Sequence, residues 1–333
     1  MRWGLIGAST IAEQFMIEAV RATGGEVAAV VSTTEARGAD FSRTQGIPAQ
    51  GTALALALDD PTIGAVYISS TNEKHHAQAL AAIQAGKHVL CEKPLAMTVE
   101  DASAMVRAAD AAGLIFATNH HLRASGSHRA IRDLIASGRI GRVLSLRLFH
   151  AVHLPANLQG WRINDASVGG GVIPDVTVHG ADVARFLLGE DPVTVVAQMS
   201  VSGMGQGVED SAMSVWAMPS GTMVMSHESF THPFAGSGLE VHGTEGSIFA
   251  RGVMTQLPVG EIELVTARGR APVPYPQHNL YVQGVTDFLS AIAGKGQPAA
   301  SGRDGVASLA VALAVREAAR TGIRQTVDYV RIA

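Results

Sequence analysis

Residues 4–12 read GLIGASTIA, and this short stretch decides the fold. Turns that bind dinucleotides have the pattern Gly-x-Gly-x-x-Gly or Ala. Gly7 and Ala12 fit the first and third positions, and Ser9 replaces the second glycine with a residue that adds a hydroxyl group. Because the turn follows an apolar strand and opens a helix, its N–H groups would point at a pyrophosphate; a tight turn without a ligand is the alternative. The predicted phosphate-binding residues are Gly7, Ala8, Ser9, Thr10 and Ile11.

Strands and helices alternate from this turn to residue 118. Apolar runs predict strands, and runs with helical periodicity that stop at glycine predict helices. Thr98 is expected to cap the last of these helices and Gly113 to end it. The alternation indicates a doubly wound α/β fold of the Rossmann type, whose parallel sheet binds ligands beyond the carboxyl ends of its strands. The predicted strands are 2–7, 26–32, 65–70, 88–92 and 115–118, and the predicted helices are 10–23, 36–45, 73–85 and 98–112.

The end of the second strand distinguishes NADP from NAD. An NAD site usually carries an Asp or Glu there, which binds the ribose hydroxyl groups. In this chain Ser32 and Thr33 end the strand and Arg37 follows on the next helix, a set that would accept a 2′-phosphate. Glu35 lies nearby and is the alternative ribose ligand. The pattern favours NADP(H) as the cofactor.

Residues 88–97, HVLCEKPLAM, place a charged pair and a proline where a buried strand ends. Pro94 fixes its own φ and holds Lys93 in an extended conformation, and the bond between them could be cis or trans. A surface lysine after a strand is the ordinary explanation. Because the carboxyl edge of such a sheet is its ligand-binding edge, a functional role for Lys93 is preferred.

Length and composition indicate an ordinary globular protein with two domains. The chain has 333 residues, of which 47% are hydrophobic and 16% charged, and its formal net charge is −4. Without a Lys/Arg cluster, neither nucleic acid nor an anionic membrane is an expected partner. The single Cys91 cannot form an intrachain disulfide, and MRWGLIGAS reads as a strand, not as a signal peptide. No apolar run reaches the roughly 18 residues of a membrane span, so a cytoplasmic protein is expected.

The second half of the chain predicts a large, mostly antiparallel sheet, because several segments alternate or are apolar over the length of a strand. A surface loop is expected at 268–278, and helices are expected at 281–293 and 304–321. The predicted strands are 143–152, 193–202, 211–218 and 222–230.

Residues 174–189, PDVTVHGADVARFLLG, predict a helix with a proline in its first turn and a glycine stop. Asp175, His179 and Asp182 fall at spacings that share one face. The glycine run 169–171 before them would allow a ligand to approach closely. The face could instead be solvated, with a weak Asp–His pair, or hold a metal. With no third ligand and no cysteine cluster, no metal is predicted.

Glu92-Lys93-Pro94 after an apolar strand, with the N-terminal GLIGAS turn, resembles the glucose–fructose oxidoreductase/inositol dehydrogenase/rhizopine-catabolism (Gfo/Idh/MocA) family. The resemblance covers nearly the whole chain. It implies a dinucleotide-binding domain at 1–120 and a substrate domain with a large, mostly antiparallel sheet at 121–333. Family members often form dimers or tetramers through an open sheet face. The strands here have no clear two-sided apolar pattern, so monomer and homo-oligomer both stay open.

The resemblance also implies an active site. His179 and Asp175 would line the substrate pocket together with Lys93. Core or surface positions are the safer expectation for His120, His150 and His153. Further residues implied to contact the cofactor or cap the cleft are Ser70, Thr71, Asn72, His75, Glu92, Asn119, Trp161, Arg162 and Tyr281.

These residue types suit hydride transfer to a ketone. Charge develops on the carbonyl oxygen, where Lys93 could polarise the bond and His179 could deliver a proton, although the two could exchange these roles. Asp175 could hold the imidazole. Together with the resemblance, this chemistry predicts NADPH-dependent reduction of a small sugar ketone. The alternatives are an NAD-dependent inositol or sugar dehydrogenase of the same family and a non-enzymatic cofactor-binding regulator on the same scaffold.

Overall fold

The computed structural model describes residues 1–329, which form two compact units. The first unit contains Met1–His121 and Tyr281–Val306, and the second contains Leu122–Leu280 and Ala307–Tyr329. The division near residue 120 lies beside the expected domain boundary. The expected second domain, 121–333, is not continuous, because its segment 281–306 lies in the first unit. No helix within the described residues is long and apolar enough to cross a membrane.

The first unit contains a parallel sheet of six strands. The sheet confirms the predicted doubly wound fold, since its strands are apolar on both faces and helices pack against them. The strands are β1 (Arg2–Ile6), β2 (Glu26–Val31), β3 (Ala49–Gly51), β4 (Ile63–Ile68), β5 (His88–Cys91) and β6 (Phe116–Thr118). Their order is β3-β2-β1-β4-β5-β6. The direction of the order reverses between β1 and β4, which is where sheets of this kind bind ligands.

Helices connect these strands as the sequence pattern predicts, apart from the short β3 and a four-residue helix that follows it. Thr98 caps the last helix, because its hydroxyl oxygen accepts the Asp101 N–H at 3.1 Å. Gly113 ends that helix in the left-handed conformation. The helices are α1 (Ile17–Ala22, after a π-helical turn at Ala12–Met16), α2 (Glu35–Gln45), α3 (Ala55–Leu58), α4 (Asn72–Gln84) and α5 (Val99–Ala112).

The second unit is built on a sheet of nine strands. These are β7 (Val143–Ala151), β8 (Thr194–Ser200), β9 (Ser211–Ala217), β10 (Met223–Ser229), β11 (Gly238–Gly243), β12 (Gly246–Arg251), β13 (Glu261–Thr266), β14 (Gly269–Pro272) and β15 (Gln325–Thr326). Their order is β14-β13-β12-β11-β7-β10-β9-β8-β15. Among the described strands of this second sheet, only the pair β7–β10 is parallel, so the predicted mostly antiparallel sheet is confirmed. The expected loop at 268–278 is wrong in part, since it contains the exposed edge strand β14, which lacks any apolar alternation.

Helices of the second unit pack beside this sheet. They are α6 (Gly126–Ala136), α7 (Ala156–Gln159) and α8 (Val178–Leu188), and a π-helical turn at Ile173–Thr177 precedes α8. Contacts join α8 to β7 and to α6, and they join the π-helical turn to β9 and β10. The predicted helix at 174–189 is therefore present, with its first turn widened. Gly189 ends it in the left-handed conformation, as the sequence predicts.

Two further helices are α9 (Leu280–Ile292) and α10 (Gly302–Thr321). Packing explains why the chain returns to the first unit with α9. Phe288 on α9 and Trp3 on β1 are both fully buried, and their ring centroids lie 5.5 Å apart. At the edge of the sheet, the Thr118 N–H donates to Ala300 O at 3.1 Å. The first unit therefore completes its core with residues far away in the sequence.

Candidate functional site

The turn after β1 lies at the point where the strand order reverses. Gly7 has φ 120°, and a Cβ there would lie 2.7 Å from the carbonyl carbon of Ser69, so only glycine fits this approach of two backbones. The hydroxyl of Ser9 accepts the Ala12 N–H at 3.2 Å and donates to Ser69 Oγ at 2.7 Å. Ser9 thus ties the turn to the end of the neighbouring strand β4, a role that a glycine could not supply.

The residues expected at the 2′-phosphate lie at the end of β2 and the start of α2. Ser32 is buried, and its hydroxyl has no hydrogen-bond partner among residues 1–329. Thr33 is exposed. Arg37 Nε and Nη2 donate to Ala8 O at 3.0 and 2.6 Å, so the guanidinium reaches the turn after β1. Glu35, the alternative ribose ligand, accepts a hydrogen bond from the Thr52 hydroxyl at 3.2 Å.

These features fit a dinucleotide. The glycine cradle, the orphaned hydroxyl of Ser32 and the cationic group of Arg37 lie at one edge of one sheet. At the end of β2 the chain has hydroxyl residues in place of a carboxylate.

The segment after β4 lies at the same edge of the sheet, because β4 is the strand next to β1. The hydroxyl of Ser70 donates to Gln78 Oε1 at 2.6 Å, and that of Thr71 donates to Glu73 Oε1 at 2.7 Å. Asn72, at the start of α4, is buried.

His75 has no solvent exposure, although it is expected to flank the nicotinamide ribose. Its Nδ1 lies 2.9 Å from Pro94 O and its Nε2 lies 3.1 Å from Ser70 O. The ring therefore links the segment after β4 to the segment that carries Lys93. Burial lowers the pKa of His75, against the two carbonyl contacts that raise it.

Lys93 follows β5 at the same edge of the sheet, and the Lys93–Pro94 peptide bond is cis. The preceding Glu92 accepts hydrogen bonds from the Tyr67 hydroxyl and from Asn119 Nδ2, each at 2.5 Å. Burial raises the pKa of Glu92, although these bonds and the charge of Lys93 oppose the shift. Asn119 also donates its N–H to Cys91 O at 2.8 Å. Glu92 and Asn119 thus form a support under the strand end that presents Lys93.

Tyr281 is buried and lies in an aromatic stack in the first unit. Its ring centroid is 4.8 Å from that of Phe15 and 5.4 Å from that of His121, with nearly parallel planes. Burial raises the pKa of Tyr281 well above the ordinary value, and the negative charge of Glu92 adds to the shift. Tyr281 is therefore a buried member of this aromatic stack, and its expected role at the cofactor or the cleft stays a prediction.

In the second unit, Asp175 lies in the π-helical turn and forms an ion pair with Arg162, with 3.3 Å between Oδ2 and Nε. The Arg162 guanidinium also lies over the Trp161 ring, 4.6 Å from its centroid. These three predicted site residues are therefore brought together. Arg162 therefore shares the Asp175 carboxylate that is expected to hold the His179 imidazole, and that expected role stays a prediction.

His179 lies in the first turn of α8 and is mostly buried. Its ring centroid is 6.1 Å from that of His150 on β7. Near them, burial lowers the pKa of His128 to about 4. His153 is exposed and His120 is buried, and the structural roles expected for them stay predictions.

The glycine run 169–171 packs against protein. A Cβ at Gly170 would lie 2.6 Å from Trp161 O, and a Cβ at Gly171 would lie 2.4 Å from Glu209 Oε1. Burial raises the pKa of Glu209, whose Oε1 accepts the Ile173 N–H at 3.0 Å. Gly170 and Gly171 therefore allow close contacts with other parts of the protein. These contacts hold the segment that leads into the π-helical turn.

Sequence reasoning places Asp182 on the helix face but misses its partner Arg123, and it misses Glu228 altogether. The single N–H of Arg123 Nε lies 2.9 Å from both carboxylate oxygens of Asp182, and Nη2 lies 2.7 Å from Oδ1, so the two residues form a buried ion pair. Glu228 on β10 is fully buried and bonds to Ser226 and Thr177. Arg123 lies 59 residues from Asp182 and Glu228 lies 51 residues from Thr177, so no spacing in the sequence signals these contacts. Within residues 1–329, no group of three or more His, Cys, Asp or Glu residues is arranged to hold a metal ion.

The first unit defines the class of this protein as a Rossmann-type oxidoreductase. The turn after β1, which is expected to bind a dinucleotide, and Lys93 lie at the same edge of its sheet. Residues 1–120 match the family model "Oxidoreductase family, NAD-binding Rossmann fold", and residues 128–249 match the model "GFO/IDH/MocA C-terminal domain". The chain belongs to the Gfo/Idh/MocA family.

Characterised relatives include sugar and inositol oxidoreductases. The 1,5-anhydro-D-fructose reductase of Ensifer adhaerens is 55% identical over 322 residues, 96% of this chain and 97% of the relative. The inositol 2-dehydrogenase of Rhizobium meliloti (strain 1021) is 29% identical, over 96% of this chain and 97% of that protein. Among solved structures, the aldose-aldose oxidoreductase of Caulobacter crescentus is similar, with a TM-score of 0.89 and 26% identity over 98% of this chain and 99% of that one.

Proposed function

We propose that this protein reduces the 2-keto group of 1,5-anhydro-D-fructose with NADPH and forms 1,5-anhydro-D-mannitol. The observation that carries the proposal is the position of the Gly7 turn, Arg37 and Lys93, which all follow strands of one sheet in the first unit. The 55% identity to the Ensifer adhaerens reductase, over nearly the full length of both chains, supports the choice of substrate.

NADP(H) is the proposed cofactor because of the residues that follow β2. Arg37 would form a charge-assisted hydrogen bond to a 2′-phosphate, and the orphaned hydroxyl of Ser32 would gain a partner. Bound NADPH supplies a hydride at C4 of its nicotinamide. The turn after β1 would bind the pyrophosphate through backbone N–H groups at the start of a helix.

Lys93 is proposed to polarise the substrate carbonyl, because an ammonium group stabilises the charge that develops on the oxygen during reduction. The contacts of Glu92 with Tyr67 and Asn119 restrict the strand end that presents this ammonium group. Such restriction reduces the reorganisation needed in the transition state.

His179 is proposed to deliver a proton to the same oxygen, since an imidazole can exchange a proton near neutral pH. Asp175, which forms an ion pair with Arg162, is proposed to hold the His179 imidazole. Both Asp175 and Arg162 belong to the set that the sequence predicts.

NADPH oxidation by the purified protein tests the proposal. We expect rapid loss of absorbance with 1,5-anhydro-D-fructose and much slower loss with fructose, other ketoses and aldoses. Activity with an inositol or an aldose and oxidised cofactor, without anhydrofructose reduction, would favour the sugar or inositol dehydrogenase. NADPH binding without turnover of any substrate would favour the regulator.

A further inference from the structure

Glu228 on β10 has no solvent exposure and no part in the proposed reaction. Its Oε1 accepts a short hydrogen bond from the Ser226 hydroxyl, and its Oε2 accepts one from Thr177 Oγ1 at 3.2 Å. Among the described residues, Glu228 forms no ion pair. A carboxyl group held by two neutral hydroxyls in the interior is costly, because burial removes it from water without supplying an opposite charge.

The helical residues that contact this carboxyl group flank His179. Thr177 ends the π-helical turn two residues earlier, and Gly180 follows directly. A Cβ at Gly180 would lie 3.0 Å from Glu228 Oε1, so the carboxyl group packs against bare helix backbone. Positions 177 and 180 are three residues apart and share a side of the helix, and position 179 lies roughly 100° or more around the helix from both. Glu228 therefore packs against the side of this helical turn that lies away from the His179 imidazole.

The charged and titratable groups on the elements that pack near Glu228 come from β7, the π-helical turn and α8. Burial raises the pKa of Glu228 to about 7, so the carboxyl group is mostly neutral in mildly acidic solution. On the sheet, His150 of β7 is in register with Glu228, and β9 places Ala212 opposite it. On the helical side the groups are His179 and the two acids that have arginine partners, Asp175 and Asp182.

We propose that Glu228 is a positioning residue for His179, which it holds in place through the backbone between Thr177 and Gly180. The proposal rests on the proposed reduction, in which His179 delivers the proton. Glu228 contacts neither substrate nor cofactor in this account. This positioning role requires a planar side-chain group with two polar atoms that reach the hydroxyls of Ser226 and Thr177. A side-chain amide meets that requirement without a charge.

Two substitutions separate shape from charge. Glu228→Ala removes the support, and we expect kcat to fall at least about tenfold while KM and the NADPH dissociation constant change little. Glu228→Gln keeps the shape, and we expect kcat within about twofold of the wild-type value, with a flatter pH profile near neutrality. Glu240→Gln is the matched control, because Glu240 lies on β11 of the same sheet and pairs with Arg147 near the surface. The control should leave kcat and its pH profile unchanged.

An NMR titration of the His179 ring, assigned with a His179→Asn variant, gives a readout that does not depend on turnover. We expect the Hε1 resonance of His179 to shift in Glu228→Ala and its titration curve to change in Glu228→Gln. An unchanged His179 resonance in both variants, or wild-type kcat in a folded Glu228→Ala variant, would overturn the proposal. If the wild-type protein reduces no ketose, the proposed function fails, and the His179 resonance alone then decides whether Glu228 positions this ring.

Discussion

At the scale of single residues, the candidate site depends on side chains whose partners hold them in place. Lys93 follows a strand whose end is supported by Glu92, Tyr67 and Asn119. The sequence pattern alone locates Lys93, because a charged residue followed by proline at the end of an apolar strand is unusual. It does not reveal the support under Glu92, because Tyr67 lies 25 residues away on another strand.

Replacing Lys93 or His179 should greatly lower the turnover rate but should leave cofactor binding nearly unchanged. We expect Lys93→Met and His179→Ala each to lower kcat by about 100-fold or more, since each removes stabilisation or proton transfer that acts in the transition state. Fluorescence titration should show nearly unchanged NADPH affinity. Lys74→Met and His153→Ala alter exposed residues and serve as controls. Wild-type turnover in either test variant would remove that residue from the mechanism.

Cofactor choice should depend on Arg37. A charge-assisted hydrogen bond contributes about 1.5–3 kcal/mol, so Arg37→Ala should weaken NADPH binding by about tenfold or more and leave NADH binding nearly unchanged. Arg43→Ala, on the exposed side of the same helix, is the control. Binding of both cofactors can be followed by fluorescence. An equal loss for NADH and NADPH would mean that Arg37 supports the turn through Ala8 and does not select the phosphate.

At the scale of elements, the sequence predicts most strands and helices but not their irregular turns. The capped helix at Val99–Ala112 shows the success, because Thr98 and Gly113 are local signals. The π-helical turns at Ala12–Met16 and Ile173–Thr177 show the limit, since one extra residue in a turn leaves no mark on the apolar pattern. The second of these turns places Asp175 beside Arg162, a contact that the assumed α-helical spacing does not predict.

Packing of β10 against the helical segment should make stability depend on pH. The folded state holds Glu228 with a pKa of about 7, whereas 4.5 is the ordinary value, so its contribution is fully present below about pH 4.5. That contribution is lost as the pH rises through 7, and the loss is about 3 kcal/mol. Glu228→Gln removes the titrating group. We therefore expect its stability in urea, relative to wild type, to rise between pH 4.5 and 8; a difference independent of pH would contradict this account.

At the scale of the whole molecule, the two-part architecture is visible in the sequence, but the path of the chain is not. Length predicts two domains, and the family resemblance implies the division near residue 120. The return of 281–306 to the first unit depends on contacts such as Phe288 with Trp3, which are 285 positions apart and have no local signal.

Loss of one ring on α9 should therefore destabilise β1. Phe288→Ala removes a fully buried side chain, and the expected cost is about 3–5 kcal/mol. Hydrogen exchange should show faster exchange of the β1 amides, together with a lower unfolding temperature. Phe234→Ala, at a ring that is 98% exposed, is the matched control. Unchanged protection of β1 in Phe288→Ala would show that α9 is not needed for the core of the first unit.

Transfer of deuterium tests the central claim most directly. The protein would be incubated with 1,5-anhydro-D-fructose and NADPH in two separate reactions. One reaction would contain NADPH with deuterium on one face of the nicotinamide ring at C4, and the other would contain NADPH with deuterium on the opposite face. The product would be analysed by NMR and mass spectrometry. We predict one deuterium at C2 of 1,5-anhydro-D-mannitol from one labelled cofactor and none from the other. Product without deuterium from either cofactor, product of the epimeric configuration at C2, or no reduction of this ketone would contradict the proposed reaction.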